Sequence, residues 1–158
     1  MTDPILFYSN LEEYFWLDNF YRASQWLPIQ PGEEEVLFIT NENWYQSAKA
    51  IDIEDALRIA FQPTPYLAMR AGRALDSDQI RKDWEVIKPV VMFQGLNAKF
   101  RQNEDLMEKL IDTDNRPLHE NSPSDLYWGV KGQDMLGKLI TQVRAQLQTD
   151  LKWFERNP

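Results

Sequence analysis

The stretch Val36-Leu-Phe-Ile-Thr40-Asn-Glu-Asn-Trp-Tyr45-Gln-Ser-Ala-Lys49 contains the change from strand to helix on which the fold depends. Its first four residues are apolar and predict a short buried strand. Thr40 and Asn41 are favourable N-cap residues, and Glu42 places an acid in the first turn, so a helix is predicted to begin here and to run through Lys49. Glu42 and Lys49 would then lie two turns apart on roughly the same helix face.

The rest of the chain predicts an α+β, mainly α, protein: one helical domain over residues 1–158 with a small N-terminal sheet. Ile5-Leu-Phe-Tyr8 has the composition of a strand, and Phe15-Trp-Leu-Asp-Asn-Phe20 that of a strand or a tight loop. Further helices are expected near Ile53, after Pro65, from Asp78 as a cap with a kink or break at Pro89, over Leu106–Ile111, and from about Met135.

Composition excludes several classes of chemistry. The 158 residues contain no cysteine and a single histidine, His119, which excludes disulfides, thiol nucleophiles and multi-histidine metal centres. No nucleophile turn of the G-x-S-x-G type is present. The N-terminal residues lack the pattern of a secretory signal, and no apolar run has membrane-spanning length, so we expect a cytoplasmic protein with no membrane partner.

The charge pattern favours a small anionic ligand over a nucleic-acid duplex. The net charge of −8 argues against a stable duplex-binding surface, because neutralising phosphates requires clustered Lys and Arg. The segment from Arg70 to Arg101, however, contains seven basic residues and only four acidic ones. Most of these residues fit solvated helix faces, and one or two of them would suit a site for a phosphate or diphosphate.

A second candidate region is Ser122-Pro-Ser-Asp-Leu-Tyr-Trp-Gly129, which combines a proline, an acid, two aromatic residues and a glycine. Such a turn can place the Asp125 carboxylate beside the face of Trp128, where a base or sugar would bind, with Gly129 allowing a tight backbone path. A helix cap followed by a core tryptophan would have the same sequence. Gly132 and Leu136-Gly137 add glycines near a helix start that could face an anion.

The order of these motifs resembles the NADAR family of YbiA-like N-glycosidases. The segment from Thr40 to Lys49 is similar to the family's T-S-E-H-Y-F-Q-A-x-K helix. The remaining matches are Gly72-Arg73, Trp84-Glu-x-x-Lys88-x-x-Val91-Met92, Lys99-Phe100-x-Gln102-Asn103, Leu118-x-Glu120, Asp125-x-x-Trp128-Gly129 and Gly132-x-x-x-Leu136-Gly137. Together they cover most of the chain from Asn19-Phe20 onward.

The chain also departs from the family pattern. Asn41 replaces the usual serine, Asn43 the histidine, and Asp134 the asparagine before the final Leu-Gly. The segment between Phe20 and Val36 lacks the Asp-Gly-x-x-Trp-Pro form, with Phe38 in the place of the aromatic residue. These differences concern the identity of the substrate more than the class of reaction.

The resemblance implies hydrolysis of N-glycosidic bonds between ribose C1 and an amine, without a metal or other cofactor. The substrates it implies are ADP-ribose attached to guanine, which we favour, and phosphorylated ribosylaminopyrimidines of the flavin pathway. The catalytic residues would be Glu42, Lys49 and Asp125, with Lys49 as diphosphate anchor, proton donor or nucleophile. Substrate-binding residues would be Asn19, Phe20, Arg73, Trp84, Glu120, Trp128 and Gly129.

Two other classes of protein remain compatible with the sequence. A non-catalytic module that binds ADP-ribose or a related nucleotide would need the aromatic residues and Arg73, but not an acid–amine pair. A structural or interaction protein would require the motif match to be coincidental. The partner is therefore expected to be a nucleotide-like small molecule or an ADP-ribosylated nucleic acid. The sequence leaves open the oligomeric state and whether the host is a cell or a virus.

Overall fold

The computed structural model describes residues 3–8, 10 and 12–158, which fall into two compact units. The central unit comprises Asn19–Gln102. The terminal unit combines the described part of Met1–Asp18 with Asn103–Pro158. Each unit has its own two-stranded sheet and its own helices, which confirms the mainly helical α+β class.

The sheet of the central unit pairs β2, Arg22–Pro28, with β3, Glu35–Thr40, in antiparallel register. The turn between them contains Gly32 at φ +83°, a left-handed conformation that glycine adopts without strain. The strand expected at Val36–Ile39 is thus confirmed. β2 was not predicted, because its residues, Arg-Ala-Ser-Gln-Trp-Leu-Pro, are largely polar or small.

Four helices follow in the central unit: α1, Asn41–Ser47; α2, Ile53–Ala60; α3, Pro65–Arg73; and α4, Trp84–Gln102. α1 packs against the other three and against β2 and β3. Its cap is the one expected, since Thr40 Oγ1 accepts a hydrogen bond from Asn43 N at 3.1 Å.

The predicted end of α1 was wrong. The helix ends at Ser47, and the backbone then tightens: Lys49 N donates to Gln46 O and Ala50 N to Ser47 O. Ala50 forms an isolated antiparallel bridge with Ile80, which draws the chain out of helical geometry. Lys49 therefore lies in the turn after α1 and does not share an α-helical face with Glu42.

The start of α4 also differs from the prediction. Asp78 lies in a turn and caps no helix, because Ile80 is held in the bridge to Ala50 and α4 begins only at Trp84. Pro89 does not break the helix, which continues to Gln102. It stands near the start of α4, so its missing N–H removes only one early hydrogen bond.

The terminal unit contains β1, Ile5–Phe7, and β4, Leu118–Glu120, which pair in parallel with Phe7 opposite Glu120. The expected strand at the N-terminus is confirmed, but its partner comes from the second half of the chain, so the sheets are not confined to the N-terminal third. Phe15–Leu17 form a 3-10 turn, so the tight-loop alternative holds there and the strand does not.

The helices of the terminal unit are α5, Glu104–Asp112, and α6, Met135–Arg156. The apolar residues at core-facing spacing in α6 are buried as predicted: Leu136, Leu139, Ile140, Val143 and Leu147. Within the described residues, no helix is long and apolar enough to cross a membrane.

Replacing Thr40 by valine tests how much the cap of α1 contributes. Its Oγ1 is both acceptor for Asn43 N and donor to Asn43 Oδ1, at 2.6 Å, and the side chain is 1% exposed. Losing both bonds in a buried setting should lower the free energy of unfolding by about 2 kcal/mol in urea titrations. Thr64→Val, at the exposed cap of α3, is the matched control and should cost less. Equal losses would contradict a special role for the buried cap.

Candidate active site

Glu42 is anchored in the first turn of α1 through both its backbone and its side chain. Its backbone N donates to Asn19 O at 3.1 Å, and its Oε1 accepts from Gln46 Nε2 at 2.6 Å. The side chain is only 7% exposed. A carboxylate fixed in this way has little rotational freedom, which suits a group that must face a reacting atom in one orientation.

A buried amide network surrounds the start of α1. Asn41 Nδ2 donates to Asn19 Oδ1 at 2.8 Å, and Asn41 Oδ1 accepts from Gln25 Nε2 at 3.0 Å. Asn19 Nδ2 in turn lies 3.4 Å from Met92 Sδ. The side chain of Asn19, predicted to bind substrate, is thus engaged within the protein and is 8% exposed. Phe20, the next residue, is half-buried.

Lys49 lies half-buried in the turn after α1, above two aromatic rings. Its Nζ is 5.6 Å from the Tyr45 ring centroid and 6.0 Å from that of Trp84. Within the described part of the chain the ammonium makes no hydrogen bond or ion pair. Burial lowers the pKa of Lys49; the charge of Glu42 opposes this shift, and that of Arg73 adds to it. The amine is therefore easier to deprotonate than an exposed lysine.

The electrostatic surroundings of Lys49 mix both signs of charge. After burial and the charge of Glu42, the groups that act on its pKa are Arg73, which lowers it, Glu85, which raises it, and Lys88, which lowers it. Arg73 ends α3 and is exposed, whereas Lys88 Nζ donates to Glu85 Oε2 at 2.6 Å. Two further cations near Lys49 suit a substrate that carries phosphate.

Trp84, predicted to stack on a base or sugar, is 6% exposed and packs on Tyr45, with ring centroids 5.1 Å apart. The other tryptophans of the chain divide between core and surface. Trp44 is in the core, where its Nε1 donates to Val91 O at 2.9 Å. Trp26 and Trp153 are exposed, while Trp128 is half-buried.

In the terminal unit, Asp125 organises the turn that the sequence singled out. Its Oδ1 accepts from Tyr127 N at 2.9 Å and from Trp128 N at 2.8 Å. Gly129 is needed here, since a Cβ on it would lie 2.5 Å from Asp125 O. Asp125 thus caps a turn and not a helix, and Trp128 is half-buried and not in the core, so the interpretation as a helix cap followed by a core tryptophan was wrong.

Glu120 is a buried carboxyl group in the same unit. It is 5% exposed, and its Oε2 has no hydrogen-bond partner within the described residues. Burial raises the pKa of Glu120 from 4.5 to about 7, helped by the charges of Asp18, Asp125 and Asp134 and opposed by the backbone N–H of Ser122. At neutral pH this group is therefore partly protonated.

The structure thus assigns the predicted site residues to two groups. Asn19, Phe20, Glu42, Lys49, Arg73 and Trp84 belong to the central unit, and Glu120, Asp125, Trp128 and Gly129 to the terminal unit. No group of three or more acidic or histidine side chains in the described ranges is arranged to hold a metal ion. Gln46 was not among the predicted site residues, although its four-residue spacing from Glu42 on a helix is typical of paired side chains.

Comparison with known proteins identifies the family. Residues 6–148 match the NADAR domain. The chain is 35% identical to the N-glycosidase YbiA of Escherichia coli over 152 residues, which cover 93% of this chain and 91% of that protein. The NMR structure of E. coli YbiA superposes with a TM-score of 0.81 at 32% identity, covering 95% of this chain and 88% of that one. The chain therefore belongs to the NADAR family.

Two further relatives bear on the activity. N-glycosidase Npun_R5314 of Nostoc punctiforme is 32% identical over 122 residues, 73% of this chain and 78% of that protein. Riboflavin biosynthesis protein VVA0006 of Vibrio vulnificus is 30% identical over 152 residues, 94% of this chain but 40% of that protein. Together with the family match, these names place the chain among the N-glycosyl hydrolases.

The raised pKa of Glu120 predicts a pH dependence of stability. Between about 4.5 and about 7 the unfolded state loses this proton while the folded state retains it, so folding becomes less favourable as pH rises. The loss amounts to about 3 kcal/mol across that window. In Glu120→Gln this contribution disappears, so the variant should gain stability relative to the wild type as pH rises from 4.5 to 7.5.

Urea unfolding at several pH values measures this difference. Glu108→Gln, at an exposed position of α5, serves as control and should follow the wild-type curve. Parallel curves for Glu120→Gln and the wild type would show that the Glu120 proton is not retained in the folded state.

Proposed function

We propose that this N-glycosyl hydrolase cleaves the bond between ribose C1 and an amine nitrogen of a phosphorylated ribosyl substrate, with Glu42 and Lys49 as its catalytic residues. The preferred substrate is ADP-ribosylated guanine. The observation that carries the proposal is the Lys49 amine: it makes no hydrogen bond or ion pair within the described residues, its pKa is lowered, and it lies close enough to the buried Glu42 carboxylate for the charge of Glu42 to act on it. A lysine nucleophile is activated where burial and a neighbouring cation lower its pKa, as burial and Arg73 do for Lys49.

The lowered pKa of Lys49 favours the nucleophile over the phosphate anchor among the three roles considered above. An anchor for a diphosphate needs a permanent positive charge, whereas a nucleophile needs the neutral amine. The aromatic rings of Tyr45 and Trp84 contribute to this by excluding water from the turn that carries Lys49.

The reaction then proceeds through an imine between Lys49 and ribose. The lone pair of the substrate amine forms a C1=N bond while C1–O4′ breaks and O4′ takes up a proton from solvent, and the ionised Glu42 carboxylate stabilises the positive charge of the resulting iminium. Lys49 Nζ adds to C1, the substrate amine takes up a proton and leaves, and a lysine imine remains. Water adds to C1 and releases Lys49, so that ribose and free amine are formed from substrate and one water.

The cations around Lys49 suit the phosphates of the substrate. Arg73 is exposed and, within the described residues, free of hydrogen bonds and ion pairs, so its guanidinium is available for a bidentate contact. We further retain Asp125 as a second catalytic carboxylate, and Asn19, Phe20, Trp84, Glu120, Trp128 and Gly129 as substrate contacts, as the family resemblance implies.

A second candidate substrate is a phosphorylated ribosylaminopyrimidine. It is favoured by the name of the Vibrio vulnificus relative, a riboflavin biosynthesis protein. Its leaving group is also an amine, so the same steps apply. Parallel assays of guanine release from ADP-ribosylated guanosine and of amine release from the ribosylaminopyrimidine phosphate separate the two, and faster turnover of the second would reverse our preference.

The roles of Glu42 and Lys49 predict the activity of two variants. Glu42→Gln and Lys49→Ala should each lower kcat on the better substrate by about 10²-fold or more, because each loses a group that acts on the breaking bond. Borohydride added during turnover should attach ribose covalently to the wild-type protein and to Glu85→Gln, but not to Lys49→Ala, as judged by intact mass.

Two exposed positions supply matched controls. Glu54 stands in the first turn of α2 as Glu42 does in α1, and Lys82 is an exposed lysine; Glu54→Gln and Lys82→Ala should retain wild-type rates. Full activity of Glu42→Gln and Lys49→Ala would disprove the site assignment. Tight binding of ADP-ribose with no turnover of either substrate would instead indicate the non-catalytic module.

A further inference from the structure

The hydrogen bonds of α1 single out one residue that the proposed reaction does not use. Gln46 is 4% exposed, and its Nε2 donates to Glu42 Oε1 at 2.6 Å. No other side-chain hydrogen bond of Gln46 occurs within the described residues, and its Oε1, although buried, has no partner there. The amide therefore makes one polar contact, and that contact is with the carboxylate of Glu42.

The neighbouring helix α3 is shaped to keep the Gln46 amide in this position. Gly72 lies against it: a Cβ added to Gly72 would be 2.1 Å from Gln46 Oε1 and 3.0 Å from its Cδ. Any larger residue at position 72 would displace the amide from Glu42. Inside a helix, glycine lowers stability relative to alanine by roughly 1 kcal/mol. At Gly72 this cost is accompanied by a close contact with Gln46 that a larger residue would not allow.

We infer that Gln46 is a positioning residue, which fixes the Glu42 carboxylate in one rotamer and stabilises its ionised form through the Nε2–H donor. The expected effect of Gln46 on the rate rests on the proposed catalytic role of Glu42. Its expected effect on the orientation and ionisation of Glu42 does not depend on that role. A donor to a carboxylate favours the charged form, and a hydrogen bond from a buried amide limits the rotamers that the carboxylate can adopt.

Gln46→Met removes the donor while keeping the length of the side chain. We expect kcat to fall roughly ten- to a hundredfold, the range for losing a hydrogen bond to a charged group, with little change in KM because Gln46 is buried. In a Glu42→Gln background the same substitution should have no further effect on kcat. Gln62→Met, which removes a donor to Arg58 O, is the control and should leave kcat unchanged.

Gln46→Glu provides a readout that a packing role would not change. When protonated, the new side chain can donate to Glu42, and when ionised it repels Glu42. Activity should therefore be partly rescued at low pH and lost as pH rises, whereas Gln46→Met should show no such rescue. Thermal melts of each variant confirm that it is folded under the assay conditions.

A titration that does not depend on turnover completes the test. The carboxyl ¹³C signal of Glu42, assigned by its loss in Glu42→Gln, should titrate at a higher pH in Gln46→Met than in the wild type or in Gln62→Met. An unshifted titration would overturn the inference even if the enzyme proves active as proposed. A shifted titration in a protein inactive on both substrates would support Gln46 and count against the proposed function alone.

Discussion

When a short polar helix is buried, its polar side chains need hydrogen-bond partners inside the protein. In the central unit, the elements around α1 and α1 itself supply these partners. All seven of its residues are buried, and five of them are polar. Asn43 Nδ2 donates to Ala60 O and Gln62 O after α2, and Ser47 Oγ donates to Trp44 O within the helix. The Asn43 contacts tie α1 to the end of α2, and the bond from Gln46 holds the Glu42 carboxylate.

Close packing around α1 depends on glycine at two helix contacts. A Cβ on Gly95 of α4 would lie 2.1 Å from Asn41 Oδ1, as one on Gly72 of α3 would from Gln46 Oε1. α3 and α4 therefore approach the polar face of α1 closely, and the residues of this face are buried. The proposed chemistry needs a fixed carboxylate and an amine that loses its proton easily. The helix α1 fixes Glu42, and Lys49 lies in the turn after α1, where burial lowers its pKa.

The terminal unit shows how far a local motif can be interpreted from sequence. The turn at Asp125 follows from its own residues, since an acid that caps two backbone N–H groups and a glycine that allows a tight path act within a few positions. The burial of Glu120 does not follow in this way. It depends on the parallel pairing of β4 with β1, over a hundred residues earlier, and on the charges of Asp18 and Asp134.

The sequence by itself determined the mainly helical class, the family, the cap at Thr40 and the apolar face of α6, because caps and spacing act within one or two turns. It placed Lys49 on the wrong kind of element, since the bridge from Ala50 to Ile80 joins distant residues. Only the tertiary structure decided which polar side chains of α1 are partnered, that Gln46 contacts Glu42 beside Gly72, and that Glu120 is buried. The burial and the pKa of these side chains depend on residues from other elements, and local sequence patterns do not show which residues those are.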